Sequence, residues 1–416
     1  MIKKLSFIVL LSILAFACKS TKKPSTNLAT IFTENDNYFV RDYRLYNSND
    51  SVSELNITIN QNKLLFIKLT DTKVFSAHYE IAYRVYSDLK KAIILDSTTL
   101  EFSVNKDEVS SNKIHQIKFE APKGKNYFIE VVARDLQRNS NFSFLTELHK
   151  KNKYDRHNFV VQQKEKNTGN SFVVDSGEVC LENHLLQNDT LTVRCYFRQF
   201  SAPLPPFDLG APPSFNRKAD SLYTVVTDNL GNFSMDIDRR GFYIVQKDSA
   251  AENSLCLMHF NSEYPFIVHQ EQMLNGLEYL CDKKEFEKLK EASNIKEAIN
   301  QFWLDNCGSE ENAKEHIKQF YLRVEVANKF FSSYREGWNT DRGMIFIIFG
   351  APRYIIRYES GERWVYGDEN SVMSEDFIFH KIVNPYSSNA YGLDKSTNYK
   401  NNWYKMIEAW RDGRLF

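Results

Sequence analysis

Within five positions, Trp338 to Arg342, this chain places an indole, an amide, a hydroxyl, a carboxylate and a guanidinium, with Gly337 before them and Gly343 after. Thr340 and Asp341 can accept backbone N–H bonds, and a glycine next to them gives the chain room to turn. Trp338 can bury its ring while its N–H finds an acceptor. Asp341 and Arg342 can pair with Arg323 or with nearby carboxylates. Two outcomes follow from such a set. One is a rigid turn that seats a helix against a strand, in which case Asp341→Ala lowers the melting temperature. The other is a binding cleft lined by Trp338, Thr340, Asp341, Arg342, Arg323, Asn328 and Trp364. A hydrolase acting on glycan or peptide would need a second carboxylate beside Asp341, and Glu359 and Asp376 are the candidates.

Other chemistry is not written in the chain. It contains no G-x-S-x-G, H-E-x-x-H, Walker A loop or G-x-G-x-x-G. Ser110 to Lys113 has the form S-x-x-K but stands in a polar turn without the motifs that accompany it. Asp236-Ile237-Asp238-Arg239-Arg240-Gly241 lacks the spacing and distal Glu of a calcium loop, and reads as strand plus turn. The nine histidines are scattered. No cofactor, metal, nucleotide or catalytic residue is assigned on this basis. Lys plus Arg and Asp plus Glu both number 53, which argues against nucleic acid as a partner. Only 15 glycines leave little material for phosphate-cradling loops.

The elements that must position these groups fall into three units. Residues 37–153 show period-two runs such as Leu55–Ile59, Lys63–Leu69, Tyr79–Tyr86 and Tyr127–Ala133. Residues 154–269 continue in that manner, with strand candidates at Asn158–Gln163, Ser171–Val174, Thr190–Phe197, Ser221–Thr227, Gly241–Gln246 and Ser254–Phe260. Each is expected to be an antiparallel β-sandwich. Five of the ten prolines crowd between Pro203 and Pro213, a stretch expected to be an exposed loop or a short extended docking segment.

From 270 to 416 the period becomes helical, over Gln272–Leu280, Lys283–Ala292, Ile295–Trp303 and Asn312–Tyr334. Strands are then expected at Met344–Phe349, Tyr354–Tyr358, Arg363–Tyr366 and Asp376–Ile382, and a closing helix at Asn401–Trp410. The fold class is thus multi-domain: two N-terminal β-sandwiches, then an α+β domain of helices followed by an antiparallel meander.

The chain begins with Lys3 and Lys4, an apolar run Leu5–Phe16, and Ala15-Phe16-Ala17-Cys18, which resembles a bacterial lipobox. Cleavage before Cys18 and lipidation of that residue are expected, with residues 18–36 as a tether. Removing residues 1–17 leaves 51 basic against 53 acidic side chains. Surface-exported lipoproteins of Bacteroidota often carry acidic residues at this point; by that resemblance the basic residues after Cys18 favour the periplasmic face, and anchoring in the outer membrane is expected. Of the five further cysteines, Cys180 and Cys195 flank an apparent hairpin and are candidates for a disulfide; most are expected as small core residues.

Gly337 to Asp341 resembles the pentapeptide of the GWxTD-domain family of Bacteroidota and related bacteria. The likeness extends to Arg323-Val324…Ala327-Asn328, Phe302-Trp303, Gly276 to Leu280 with Lys284-Glu285-Phe286, and Glu362-x-Trp364-x-Tyr366. Arg353 stands where many relatives carry an acid after the Gly-x-Pro. The resemblance implies a secreted or lipid-anchored protein and covers about residues 270–416. The function expected is non-enzymatic: binding or scaffolding for an envelope protein, in secretion or surface assembly.

Overall fold

The computed structural model describes residues 39–68, 74–138, 140–163, 166–167, 172–211, 216–247, 254–367 and 374–414. The signal segment, Cys18 and the tether lie outside them, as do Ser171, Pro212 and Pro213.

The first unit has two antiparallel sheets. One has the order β1 (Val40–Asn47), β2 (Val52–Ile59), β6 (Lys113–Glu120). The other joins β3 (Ile67–Lys68), β4 (Phe75–Asp88), β7 (Tyr127–Asp135) and β8 (Ser140–Leu148), with β5 (Ile93–Asn105) also on β4. Alternation supplies the core between them: Leu55, Ile57 and Ile59 from one sheet meet Tyr79, Ile81, Ile129 and Val131 from the other. The run Lys63–Leu69 is not one strand. Asn60 caps a short 3-10 turn at Gln61–Lys63, and only Ile67–Lys68 pairs.

The second unit stacks the order β10 (Lys166–Asn167), β9 (Val160–Gln163), β11 (Gly177–Glu182), β14 (Asn232–Ile237) on β13 (Ser221–Val226), β12 (Thr190–Tyr196), β15 (Gly241–Gln246), β16 (Leu255–His259). Val161, Leu181, Met235, Val193 and Leu257 fill its interior. The strand expected at Ser171–Val174 is a single parallel bridge, Val173 to Met258. The Cys180–Cys195 pairing is overturned: β11 and β12 lie in different sheets, Cys180 faces outward, Cys195 faces the core, and both thiols are free.

In the third unit four helices come first: α1 (Gln270–Leu277), α2 (Lys283–Lys290), α3 (Ile295–Cys307) and α4 (Glu310–Phe331). The Gly337–Asn339 segment forms a 3-10 turn. Then comes α5 (Asp341–Phe349), where a strand was expected. An unbroken apolar run fits a buried strand and a buried helix equally well, and Ile345, Ile347 and Ile348 lean toward strand on propensity alone. The fold resolves the choice: Met344 to Ile348 are all fully buried, enclosed by α4, the closing helix α6 (Lys400–Arg411) and a four-stranded sheet. That sheet is the expected meander, β17 (Tyr354–Tyr358), β18 (Gly361–Tyr366) and β19 (Glu375–Lys381), extended by β20 (Tyr391–Leu393).

The three units share cores. Buried apolar side chains of the first run on into those of the third. The outer face of β15 and β16 (Phe242, Ile244, Met258) packs on Tyr334 and Tyr386. The proline-rich segment lies against the third unit as an intramolecular strap: Lys395 Nζ donates to Leu204 O at 3.0 Å, Ser396 N to Pro206 O at 3.1 Å, and Phe207 packs on Tyr404.

Candidate functional site

The seven residues singled out in the sequence gather around α5, because a helix with no exposed face must have every orphan backbone group at its ends supplied with a partner. At its N-terminus Thr340 is the cap. Its Oγ1 accepts from Gly343 N at 3.0 Å and donates to Gly337 O at 2.8 Å. Removing that hydroxyl is expected to cost about 1–2 kcal/mol; Thr340→Ala, followed by chemical denaturation, checks it against Thr340→Ser, which keeps the cap.

The C-terminus is sealed by side chains from three other elements. Arg323 on α4 donates from Nη1 to Ile347 O at 3.2 Å and Ile348 O at 3.3 Å. Trp410 Nε1 donates to Ile348 O at 3.1 Å, and Tyr366 OH to Gly350 O at 2.8 Å. The Arg323 guanidinium also lies 4.9 Å from the Trp410 ring centre. Arg323 therefore stands at the far end of α5 from Asp341, about 13 Å along a nine-residue helix, and pairs with neither Asp341 nor Arg342.

The 3-10 turn before α5 is held from all sides. Asn328 Oδ1 accepts from Trp338 N at 3.0 Å while its Nδ2 donates to Pro265 O at 3.1 Å. Tyr279 OH donates to Trp338 O at 2.7 Å. The Trp338 indole donates to Glu336 at 3.0 Å. Asn339 Nδ2 donates to Phe200 O at 2.7 Å, the root of the strap from the second sandwich. Asp341 Oδ2 accepts from Leu393 N at 2.8 Å, binding α5 to β20. Burial pushes the Asp341 carboxyl above its ordinary value, partly offset by that N–H.

Below the turn lies a buried ionic cluster. Arg342 is 2 % exposed and Glu362 is fully buried. Glu362 Oε1 accepts from Arg342 Nη1 at 3.3 Å and from Arg357 Nε at 2.7 Å, and its Oε2 from Trp364 Nε1 at 3.0 Å. Arg342 Nη2 also donates to Asn389 O and Oδ1, at 2.8 and 2.6 Å, and its guanidinium stacks 4.0 Å from the Tyr391 ring centre. Arg357 continues outward and donates to Leu145 O, on β8 of the first sandwich. Burial alone would raise the Glu362 carboxyl; Arg357 and Arg342 outweigh it and bring it down to about 2.

The structure thus brings Trp338, Thr340, Asp341, Arg342 and Asn328 together at one end of α5, ties Trp364 to Arg342 through Glu362, and puts Arg323 at the other end. The three carboxylates weighed for hydrolysis are engaged separately: Asp341 with Leu393 N, Asp376 with Arg363, and Glu359 with Lys90 at the surface. Glu362, Arg357, Asn389 and Tyr279 were missed, as was Tyr264, whose OH accepts from Gly337 N at 3.0 Å. Glu362 was visible in the Glu-x-Trp-x-Tyr strand; Asn389, in a loop, carried no signal of any kind.

A domain built around one buried, doubly sealed helix with its signature at the N-cap is the class these features define. Residues 241–412 match the family model described as the GWxTD domain, and the chain carries a GWxTD domain over that range. The match opens at β15, inside the second sandwich and ahead of α1, in keeping with the packing of β15 on Tyr334 and Tyr386. No curated protein matches. Among solved structures, red sea bream transglutaminase is 7% identical over 54% of this chain and 32% of its own, with a TM-score of 0.19. The central fibronectin-III array of RIM-binding protein is 8% identical over 56% of this chain and 72% of its own, with a TM-score of 0.15. This chain therefore spans about a third of the transglutaminase, and neither likeness bears on function.

Proposed function

We propose that this is a lipid-anchored cell-envelope protein whose GWxTD domain is a non-enzymatic hub: it fixes two β-sandwiches relative to one another and so presents a scaffold to an envelope protein partner, in secretion or surface assembly. The observation that carries the reading is where the signature's polar groups go. Asn339 reaches the second sandwich through Phe200, and Arg342, through Glu362 and Arg357, reaches the first through Leu145. Groups committed to holding bodies together are not free to turn over substrate. Anchoring rests on the Lys3 to Cys18 segment, with Cys18 as the lipidated residue and the outer membrane, periplasmic face, as the site. Among the described residues no helix is long and apolar enough to cross a membrane.

Asp341 separates the hub from the hydrolase. Asparagine keeps the acceptor for Leu393 N; alanine does not, and leaves a buried N–H unmet at about 1–3 kcal/mol. Because the folded carboxyl is raised above its ordinary 3.8, the folded state holds that proton to higher pH than the unfolded state does. Wild-type stability therefore falls as pH rises from 3.8 through the folded value. Asp341→Asn lacks this loss, so at neutral pH it is expected to melt at or above wild type, while Asp341→Ala melts lower. Both should recover the same partners from detergent-solubilised envelope, provided they are folded. Activity on a glycan or peptide panel that Asp341→Asn abolishes without a change in melting would establish the hydrolase instead.

A further inference from the structure

The second sandwich has an open flank that the hub does not use. Its two sheets end there in β13 and β14, and among the described residues β13 pairs only with β12, and β14 only with β11. Exposed strand edges are templates for further pairing, and proteins blunt them with lysine, proline or bulges. The six residues of β13, Ser221-Leu222-Tyr223-Thr224-Val225-Val226, contain no charge and no proline. Leu222 is 55% exposed and Val226 64%.

A cavity of about 360 Å³ opens at this flank. Cys195, Phe197, Tyr223, Asp236, Asp238 and Tyr243 line it; Cys195 and Tyr243 are buried while the two aspartates are exposed, which puts the carboxylates at its rim. The rim is electrostatically unbalanced. Asp236 lies directly opposite Glu178 in the β11–β14 ladder, a like-charge pair that costs stability as it stands. Against these three carboxylates stands Arg239, which meets Asp238 at 3.5 Å and lies over the Phe197 ring at 5.3 Å. Arg240 instead acts on Glu336. The Phe197 face thus already accepts one guanidinium and the rim carries charge for another.

We propose that this flank is a strand-addition site: an extended segment of a partner protein pairs with β13 and sets a basic side chain, Arg or Lys, into the cavity among Asp236, Asp238, Phe197 and Tyr223. Main-chain pairing gives such a complex its affinity and the pocket for an alternate side chain its specificity. A second copy of β13 does not fit, because it brings no cation.

The inference rests on the scaffold reading and gives it a partner surface. The test uses the full chain in detergent and a fluorescein-labelled octapeptide of alternating valine and arginine, read by anisotropy. Binding is expected, with affinity roughly tenfold lower for a valine–glutamate peptide and roughly tenfold lower for the arginine peptide on Asp236→Asn/Asp238→Asn. N-methylation at alternate residues along one peptide edge, which keeps every charge, should also cost about tenfold on one of its two edges. Absence of binding, equal binding of both charge types, or binding indifferent to methylation on either edge would overturn the site. Envelope proteins still recovered by a chain that fails this test would leave the scaffold reading standing with its surface elsewhere.

Discussion

Replacing Glu362 by alanine is expected to lower the stability of the chain by roughly 3–5 kcal/mol, the range for breaking a buried ion pair. Two guanidiniums, the buried Arg342 and the partly buried Arg357, lose the carboxylate between them, and the Trp364 indole loses its acceptor. The loss is not that of a cavity alone, because the Arg342 charge left behind stays out of water. The same carboxylate gives an acid limit. Its folded value, about 2, lies below the ordinary 4.5, so its contribution is fully present above 4.5 and is lost as pH falls toward 2. Wild type should therefore lose stability through that window and the alanine variant should lose less. Denaturation midpoints at pH 7, 4 and 3 measure both effects; an alanine variant of wild-type stability at pH 7 would remove the cluster from the account.

The second large effect is at Gly343. In a solvent-exposed helix, Gly→Ala stabilises by up to about 1 kcal/mol. Here a Cβ would stand 1.9 Å from Gly337 O and 3.2 Å from Thr340 Oγ1. The obstacle is backbone, held in turn by Thr340, and cannot rotate away. The sign reverses, and Gly343→Ala is expected to cost about 3 kcal/mol, at the upper end for overpacking. Gly337 is as tightly placed, its Cβ position lying 2.0 Å from Ala327 O. Gly276 on α1 is the control: its nearest neighbours, Phe320 and Val324, stand at 3.4 Å, an ordinary contact. Thermal melts should show a large loss for Gly343→Ala and little change for Gly276→Ala.

The parts of the fold that were legible are those where one face meets water. The alternation of Leu55 to Ile59 and of Thr190 to Tyr196 records a half-buried sheet, and the helical spacing from Ile317 to Phe331 records an amphipathic helix. Where both faces are buried the period vanishes, and Met344–Phe349 reads as a strand although it is helix. The acceptor capacity of Thr340 was present in the letters; that it caps a helix was not, because the helix itself reads as a strand. Pairings set by distant chain, such as Arg357 with Leu145 or Asn339 with Phe200, leave no local trace. The cysteines misled for the same reason, since fifteen residues of separation resemble a hairpin until β14 and β15 are seen to take the neighbouring places. The signature drew attention to the right residues. What they do followed only from seeing that α5 is enclosed.

The GWNTD segment and its ionic cluster join all three units. Hydrogen exchange on the full chain, wild type against Glu362→Ala under conditions where both are folded, measures that coupling. Protection is expected to fall not only in β17 to β20 but also in β8 around Leu145 and in the Phe200–Phe207 strap. Loss confined to the four-stranded sheet, with β8 and the strap exchanging as in wild type, would contradict it.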